Sequence, residues 1–469
     1  MKRTKIHHLS SQLEESVRIY GWVHVARDQG KVAFFDIRDD SGLIQAVVFG
    51  KPEVMEVAKQ LRPEYVVEVE GVVHERPEKM RKPGVINGDI ELEITKISIL
   101  NQANTPPFEI TTDTYGIDEE ARLTHRYLDL RTARMQQNMR LRSDFVRYCR
   151  EFLYKEDFVE IETPLLTEST PEGSRDFVVP SRHHPGKFYA LPQSPQQYKQ
   201  LLMNSGFERY MQLARAIRDE DLRADRGYEH TQIDLEMAFV EQEDVMQLVE
   251  NMLIHTVEKL GFTIKEKPFP RISYADAMEQ YGDDKFDMRT EEEKQAGILA
   301  YAWVVDFPFF EKTDSGEWTF THNPFSMPKA DDIPSLLEGK NIDSILTTQY
   351  DLVCNGYEAG GGSIRSHKPE IIEAVYKAMG FSDEAIAEKV GHMLKAFTYG
   401  TPPHGGIAIG VERNVMNLTN ESQLREVQAF PMTRKGNTAV MDAPKPLSPE
   451  QLAELKLSIK HQGNASEDQ

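Results

Sequence analysis

The chain has 469 residues, of which 39 % are hydrophobic, and its formal net charge is −21. This length predicts two to four domains, and no apolar run approaches the ~20 residues that span a bilayer, which excludes a membrane-spanning protein. The acidity argues against a bulk electrostatic nucleic-acid binder, although local basic patches and base stacking still allow RNA binding.

The cysteine content indicates the compartment. Cys149 and Cys354 are the two cysteines, and no Cys/His spacing typical of a zinc site is present. We therefore expect neither a disulfide framework nor structural zinc. The N-terminal segment lacks the apolar stretch of a secretory signal, so we expect a cytoplasmic protein.

Short β segments fill the N-terminal region. They are RIYGWVHVA, KVAFFDIRD, GLIQAVVFG, YVVEVEGVVHE and DIELEITKISIL, between residues 18 and 100. Apolar and polar residues alternate in several of them, and Gly, Asp, Asn or Pro separate them. The pattern predicts a small barrel of the OB type, with a generic β-sandwich as the alternative on pattern alone.

Composition changes divide the rest of the chain. Pro-rich and then charged text in 105–135 indicates a hinge, and 136–158 has helical periodicity. We predict a barrel domain in 1–104, a main domain in 136–440, and a C-terminal helix with a flexible polar tail in 441–469.

A polar cluster follows a strand in YALPQSPQQYKQLL (189–202). Ser194, Gln196 and Lys199 lie where the strand ends and a helix begins. Such a junction offers unpaired N–H groups and a positive dipole end to an anion. In isolation, a capped helix with a solvated lysine is the simpler interpretation.

A strand, a charged loop and a second strand are predicted over 210–239. The returning strand carries Gln232, Asp234 and Glu236 at alternate positions, so they share one face, and apolar residues share the other. A solvated hairpin would explain the loop charges. The carboxylates backed by an apolar face favour the floor of a site.

Two further segments point to an anionic ligand and a metal. Asp351 and Glu358 precede a glycine run in QYDLVCNGYEAGGGSIR (349–365) and are suited to Mg²⁺. Arg413 lies where a predicted strand enters a helix in GTPPHGGIAIGVERNVMNL (400–418), a place that a cation takes to meet an anionic ligand.

Together these segments resemble the three motifs of class II aminoacyl-tRNA synthetases. FVEIETPLL with Pro164 resembles motif 1, RAIRDED…TQIDLEMAF motif 2, and GIAIGVERNVMNL motif 3. The runs QSPQQYK, RDEDLRADR, NGYEAGGGSIR and YGTPPHGG, with the N-terminal barrel, are similar to bacterial-type aspartyl-tRNA synthetases over roughly residues 1–440. The resemblance implies an α+β multidomain fold, in which an OB-type barrel precedes a class II catalytic domain with an antiparallel sheet flanked by helices.

The resemblance implies ATP-dependent ligation of aspartate to tRNA, with Mg²⁺ as cofactor. Arg218 would hold the α-phosphate and Arg413 the γ-phosphate, and Glu358 completes the implied catalytic set. The implied metal ligands are Asp351 and Glu358. The residues implied at the ATP site are Arg218, Asp219, Glu220, His230, Glu358, Gly410, Val411, Glu412 and Arg413.

The same resemblance assigns the amino-acid pocket. Lys199 and Arg365 would hold the side-chain carboxylate of aspartate, and Asp234 with Glu172 its α-ammonium. The implied pocket residues are Glu172, Ser194, Gln196, Lys199, Arg218, Asp234, His322 and Arg365.

The implied partners are tRNA(Asp), ATP, L-aspartate and a second copy of the chain, which would meet the first through motif 1 near Pro164. In the barrel, Phe34 would stack on an anticodon base. The residues implied at the anticodon are Arg27, Gln29, Phe34, Gln45 and Glu91.

The sequence departs from the family pattern in several places. Only about 35 residues, from Arg271 to Pro308, stand where the family carries an insertion of more than a hundred. His230 replaces a stacking Phe, Gly227 and Tyr228 replace a Gln-Pro pair, and Asn323 replaces a second His.

Three alternative functions stay open. They are an asparaginyl-tRNA synthetase, a paralogue that forms an amide from aspartate, and a non-catalytic paralogue of the synthetases. A separate question is the choice of tRNA: Gln29 lies at a position linked to it, which leaves open whether tRNA(Asn) is charged as well.

Overall fold

The computed structural model describes residues 1–169 and 174–460. The chain forms two compact units: one contains Met1–Arg122 and Tyr127–Ala133, and the other contains Leu123–Arg126 and the chain from Arg134 onward. Within the described ranges, no helix is both long and apolar enough to cross a membrane.

A closed five-stranded barrel forms the first unit, in the strand order β1-β2-β3-β5-β4. Its elements are β1 (Ser16–Asp28), β2 (Val32–Arg38), β3 (Leu43–Phe49), α1 (Pro52–Ala58), β4 (Val66–Glu75) and β5 (Ile90–Asn101). β1, β2 and β4 bury alternate residues against a common apolar core, as the period of two requires. The predicted barrel is confirmed, and the sandwich alternative is excluded.

Helices dominate the region after the barrel. Two short ones, α2 (Glu119–Thr124) and α3 (Arg126–Asp129), lie within the predicted hinge, and α4 (Ala133–Lys155) follows. The predicted amphipathic helix is thus confirmed, and it buries Phe145, Cys149 and Leu153. It ends just before Asp157, whose φ of 62° no α-helix accommodates.

A mostly antiparallel sheet of eight strands organises the second unit, in the order β11-β12-β15-β16-β17-β10-β9-β6. The elements up to its central hairpin are β6 (Val159–Glu160), β7 (Val178–Pro180), β8 (Phe188–Ala190), α5 (Gln196–Asn204), β9 (Arg209–Ile217), β10 (Glu229–Ala238) and α6 (Gln242–Lys259). Those that follow are β11 (Arg271–Ser273), α7 (Tyr274–Tyr281), α8 (Glu291–Gln295), β12 (Tyr301–Val305), β13 (Phe310–Lys312), β14 (Trp318–Phe320), α9 (Ile333–Leu337), β15 (Gln349–Cys354), β16 (Tyr357–Ile364), α10 (Pro369–Ala378), α11 (Asp383–Phe397), β17 (His404–Gly410), α12 (Val411–Thr419) and α13 (Pro449–Leu455).

The two faces of this sheet differ in chemistry. On β10, Ile233, Leu235 and Met237 join a core that α4, α6 and α12 also line. The alternating residues on the opposite face are polar, as the sequence predicted. Helices therefore cover one face, and the other is left to form a site.

The segment that resembles motif 1 forms only a short strand. β6 contains only Val159 and Glu160, beside Tyr210 and Met211 of β9. Farther along, the backbone N–H and hydroxyl of Thr163 both donate to the side chain of Gln212, and Pro164 has no N–H to extend a ladder. A side-chain contact thus replaces strand pairing there.

At the C-terminus, α13 begins at a capping box of Ser448 and Gln451, which confirms the predicted capped helix. The predicted flexible tail beyond residue 460 lies outside the described residues.

Candidate active site

A polar cavity of about 330 Å³ opens on the polar face of the eight-stranded sheet. Its floor is formed by β10, β16 and β17, and α5 with the β9–β10 loop supplies its walls. The residues of the predicted sites that line it are Ser194, Gln196, Lys199, Arg218, Glu220, His230, Asp234, His322, Glu358, Arg365, Gly410, Glu412 and Arg413. Segments far apart in sequence therefore meet in one cavity.

At one end of the cavity, two cations and two carboxylates form a buried cluster. Lys199 Nζ lies 2.8 Å from Asp234 Oδ2 and 3.2 Å from Glu236 Oε2, and Arg365 Nε donates to Glu236 Oε1 at 3.0 Å. None of the four residues is more than 2 % exposed. Charges so buried are tolerated because they are paired.

The two carboxylates of the cluster differ in their electrostatics. Burial raises the pKa of Asp234, although Lys199 opposes that rise. Burial would also raise the pKa of Glu236, but the charges of Arg365 and Lys199 hold it below its ordinary value. Glu236 is therefore the permanent counterion of both cations, and Asp234 is the carboxylate that a further cation would stabilise.

Unpaired polar atoms surround Asp234. Its Oδ1 and the Oε1 of Gln232 are both buried, and neither has a hydrogen-bond partner among the described residues. A buried acceptor without a partner is costly, so a ligand that donates hydrogen bonds fits here. Gln196 and Ser194 line the same end.

The other end of the cavity carries arginines. The Arg218 side chain donates from Nε to the carbonyl oxygen of Gln193 at 3.4 Å, and within the described part of the chain its terminal nitrogens keep their donors for a ligand. Arg413 donates to the Glu358 carbonyl oxygen at 3.0 Å and to Asp225 Oδ2 at 3.2 Å. Half-buried guanidinium groups at this place suit an anionic ligand such as a phosphate.

His230 lies between these arginines at the wall of the cavity. Removal from water, reinforced by the charges of Arg218 and Arg413, lowers the pKa of the His230 imidazole to about 3. The ring is therefore neutral at physiological pH, and a neutral aromatic ring can stack on a base without adding charge.

The predicted metal carboxylates converge above a glycine. A Cβ added to Gly361 would lie 3.0 Å from Asp351 Oδ1 and 3.5 Å from Glu358 Oε1, so both carboxylates lie on the same side of the strand. Burial, assisted by the nearby charge of Glu358, raises the pKa of Asp351 to about 6. A buried carboxylate whose ionisation is disfavoured by a neighbouring carboxylate forms a place for a cation.

The donor set is small. Among residues 1–169 and 174–460, no group of three or more His, Cys, Asp or Glu side chains could hold a metal ion. A pair of carboxylates is nevertheless what Mg²⁺ uses when phosphate and water complete its shell. The residues present therefore fit Mg²⁺ better than a metal that needs a closed protein cage.

Several predicted site residues do not offer a free side chain to a ligand in this cavity. The Val411 side chain is fully buried in the apolar core. Asp219 pairs with Arg175 at 3.5 Å. Glu412 lines the cavity, but Arg142 and the backbone N–H of Thr231 already occupy its oxygens, at 2.8 and 2.9 Å. Glu172 lies outside the described residues.

The sequence pattern placed Glu236 on the polar face of β10 but did not single it out as the counterion of two cations, and Lys285 was not identified from the sequence. Glu236 could have been found, because two buried cations require matching anions and the alternation of β10 placed it beside Asp234. Lys285 Nζ lies 3.8 Å from Glu358 Oε2. Burial would raise the pKa of Glu358, but the charges of Arg413 and then Lys285 hold it below its ordinary value. No sequence pattern singled Lys285 out.

In the barrel, the predicted anticodon residues share the outer face. Arg27 pairs across the strands with Phe34, which is half-buried, and Gln45 with Asp36. Arg27 also donates to both oxygens of Asp36, at 3.0 and 2.9 Å. Glu91 precedes the residue that pairs with Ala46, which places it near Gln45. Gln29 is exposed in the β1–β2 turn. The face thus combines an aromatic ring with polar groups, as a base-reading surface requires.

Comparisons with known protein families match the barrel unit and the sheet unit separately. Residues 118–434 match the family of class II tRNA synthetases (D, K and N), and residues 17–100 match the OB-fold nucleic acid binding domain. The chain therefore belongs to the class II tRNA synthetases and carries an N-terminal OB-fold nucleic acid binding domain.

Within that class, the curated relatives are close in sequence. The Aspartate--tRNA(Asp/Asn) ligase of Rubrobacter xylanophilus is 39 % identical, with 96 % of this chain and 95 % of the relative covered. The Aspartate--tRNA ligase of Geobacillus kaustophilus is 38 % identical, with 95 % and 96 % covered. The first alignment spans 578 positions against the 469 residues of this chain, so that relative has segments without a counterpart here.

Solved structures agree on the fold. An aspartyl-tRNA synthetase from Leishmania major has a TM-score of 0.74 at 23 % identity, with 92 % of this chain and 94 % of that chain covered. An asparaginyl-tRNA synthetase from Pyrococcus horikoshii, complexed with asparaginyl-adenylate, also has a TM-score of 0.74, at 24 % sequence identity, with 92 % of this chain and 98 % of that chain covered. Similarity at this level supports the architecture alone.

Proposed function

We propose that the chain is an aspartate–tRNA ligase. It activates L-aspartate with ATP and transfers the aspartyl group to the 3′ end of tRNA(Asp). The observation that carries this proposal is the buried pair of Lys199 and Arg365 at one end of a cavity whose other end presents Arg218 and Arg413. The names of the curated relatives support the same activity.

The cation pair selects the amino-acid side chain. An ammonium has three donors and a guanidinium five, and the contacts of Lys199 and Arg365 leave each with a donor for a substrate carboxylate. Asparagine would direct an NH₂ group toward these donors. A site built for a polar group rejects an analogue that cannot pair with it by on the order of 10⁴.

The α-ammonium of aspartate fits the remaining acceptors. Asp234 Oδ1 and Gln232 Oε1 are buried without partners in the described structure, and both would accept from it. Glu172 is proposed to add a second carboxylate. Ser194, Gln196 and His322 would line the rest of the pocket.

Activation requires in-line attack of the aspartate α-carboxylate on the α-phosphorus of ATP, with pyrophosphate leaving. Arg218, whose terminal donors are available, would hold the α-phosphate, and Arg413 the γ-phosphate. The chain thereby contributes orientation and charge stabilisation rather than a covalent nucleophile. The terminal hydroxyl of the tRNA then attacks the acyl carbon, and AMP leaves.

We propose Asp351 and Glu358 as Mg²⁺ ligands. When bound, the ion would neutralise negative charge on the phosphate oxygens. The two carboxylates face each other above Gly361, and His322 Nδ1 lies 4.0 Å from Asp351. Among the other ATP contacts, His230 would stack on adenine and Glu220 would accept a hydrogen bond from it. Asp219, Gly410, Val411 and Glu412 would contribute through backbone or supporting contacts.

The barrel is proposed to read the anticodon. Phe34 would stack on one base at about 1–3 kcal/mol, and Arg27, Gln45 and Glu91 would read base edges. Gln29, in the exposed turn, bears on whether tRNA(Asn) is charged too. This mode needs no large basic surface, which accommodates the net charge of −21.

A second copy of this chain is the proposed partner at motif 1. β6 is the outermost strand of the sheet, and Val159, Leu165 and Leu166 beside it are each about half exposed. An apolar sheet edge is a ready site for pairing with another chain. The short segment from Arg271 to Pro308 is proposed to stand for the larger insertion of the family. We place the enzyme in the cytoplasm, where tRNA is charged.

An aminoacylation assay tests the proposal. The purified chain is given ATP, Mg²⁺ and labelled aspartate or asparagine, with tRNA(Asp) or tRNA(Asn) transcripts. We expect aspartyl-tRNA(Asp) and no asparaginyl product. Asparagine charging would support the asparaginyl alternative instead. Failure with both tRNAs and both amino acids would overturn the function.

A further inference from the structure

Three buried polar side chains form a chain of hydrogen bonds beneath the amino-acid end of the cavity. Gln196 Nε2 lies 3.1 Å from Gln200 Oε1, and Gln200 Nε2 lies 3.2 Å from His404 Nε2. Gln196 is 7 % exposed, and Gln200 and His404 are fully buried. Of the three, Gln196 alone lines the cavity.

The far end of this chain is anchored by a backbone carbonyl. His404 Nδ1 lies 2.8 Å from the carbonyl oxygen of Pro402. A carbonyl oxygen can only accept, so Nδ1 carries the hydrogen. Burial lowers the pKa of His404 to about 4, so the ring is neutral at physiological pH and Nε2 has no hydrogen. His404 Nε2 is therefore an acceptor.

Because His404 Nε2 is an acceptor, the orientations of the Gln200 and Gln196 side-chain amides are both determined. The Gln200 atom next to an acceptor must be its NH₂ group, which turns its Oε1 toward Gln196. The Gln196 atom next to that oxygen must in turn be its own NH₂ group. The carbonyl oxygen of Gln196 is thus left for the cavity. This order follows from the Pro402 carbonyl and does not depend on telling O from N in either amide.

We propose that His404 and Gln200 are positioning residues that hold the Gln196 amide with its carbonyl oxygen toward the substrate's α-ammonium. The inference rests on the proposed function. In the opposite orientation, an NH₂ group would meet the ammonium, and a donor would face a donor. A hydrogen bond to a charged group is lost in that case, which corresponds to about 10-fold to 100-fold in affinity.

The proposal predicts a specific rescue. Gln200→Met removes both bonds, so the Gln196 amide can turn, and we expect the KM for aspartate to rise about 10-fold with the KM for ATP unchanged. Gln196→Glu presents acceptor oxygens in every orientation. In the Gln200→Met background it should therefore bring the aspartate KM back toward the wild-type value.

In the wild-type background, the same Gln196→Glu change should be harmful. The new carboxylate would face Gln200 Oε1, and Gln200 cannot turn without placing its oxygen against His404 Nε2. The two substitutions should thus each raise the aspartate KM and partly cancel when combined. A purely structural role for Gln200 would instead make the two losses add.

The experiment measures aspartate-dependent ATP–pyrophosphate exchange with the full chain, alongside thermal unfolding of each variant. Gln197→Met is the matched control, because Gln197 is also buried on α5 but bonds His392 at 2.6 Å; its aspartate KM should not change. If Gln200→Met does not fold, His404→Phe removes the same acceptor and should show the same rescue.

An aspartate KM within twofold of wild type in Gln200→Met would overturn the inference, as would a double variant no better than Gln200→Met alone. Absence of aspartate-dependent exchange in the wild-type chain would overturn the proposed function, and the inference with it. The two failures are therefore distinguishable.

Discussion

Replacing Lys199 by Met tests the selectivity of the pocket. The substitution keeps the length of the side chain and removes its charge at a position that is 1 % exposed. Asp234, at 2.8 Å, and Glu236, at 3.2 Å, then lose a shared cation. Breaking a buried pair costs about 3–5 kcal/mol.

Part of that loss falls on substrate binding. Without Lys199, the pKa of Asp234 rises further, because burial already raises it and the opposing cation is gone. Asp234 then becomes neutral and attracts the α-ammonium less. Each tenfold change in kcat/KM corresponds to about 1.4 kcal/mol. We therefore expect kcat/KM for aspartate to fall about 10²-fold to 10³-fold. The KM for ATP should stay within about threefold, because the arginines proposed to bind phosphate are untouched.

The assay is ATP–pyrophosphate exchange at varied aspartate and then at varied ATP. Lys294→Met is the matched control: Lys294 also pairs with a carboxylate, Glu291 at 2.7 Å, but on the exposed helix α8. Its kinetics should match the wild type. Near-normal exchange by Lys199→Met at low aspartate would refute the pocket assignment.

Three further predictions concern the metal, the adenine and the packing of the sheet. Asp351→Asn should raise the Mg²⁺ concentration that gives half-maximal exchange by about tenfold or more, measured by Mg²⁺ titration; an unchanged titration would exclude Asp351 as a ligand. His230→Ala should raise the KM for ATP by about 5-fold to 100-fold, the worth of one stacked base. Because the pKa of His230 is lowered to about 3, its neutral form predominates above that pH, and the wild-type KM for ATP should show no inflection from this group between pH 6 and 8. Gly406→Ala should lower the unfolding temperature and abolish aspartate activation, because its Cβ would lie 2.1 Å from both Leu235 O and Glu236 Oε2. Gly391→Ala, on helix α11, where the added Cβ would lie 3.8 Å from Ala387 Cβ, should be neutral or stabilising by comparison.

Local patterns explain why much of the fold was predictable. A strand with one buried face repeats every two residues, so the alternation on β10 predicted which residues meet the core and which meet the site. The barrel strands were predictable for the same reason. The short length of β6 could not be predicted in this way, because the hydrogen bonds from Thr163 go to Gln212, which lies 49 positions away in the sequence.

The site divides along similar lines. The arginines proposed to bind phosphate and the carboxylates proposed to bind Mg²⁺ follow from motifs that are short and continuous. The role of Glu236 does not, because its importance comes from Arg365, 129 residues further along the chain. Val411 illustrates the opposite error, since its place in a motif does not show that its side chain points into the core.

The sequence by itself determined the class of enzyme, the two folded regions and the chemistry gathered in the cavity. Those features reside in residue types and in periodicities that a few neighbouring positions express. Only the tertiary structure decided how the charges are balanced. The strand order β16-β17-β10 places Arg365 next to Glu236, and the packing of α5 on the sheet places Lys199 next to the same carboxylate. Coulomb energy depends on distance and burial, and neither can be read from the order of residues along a chain.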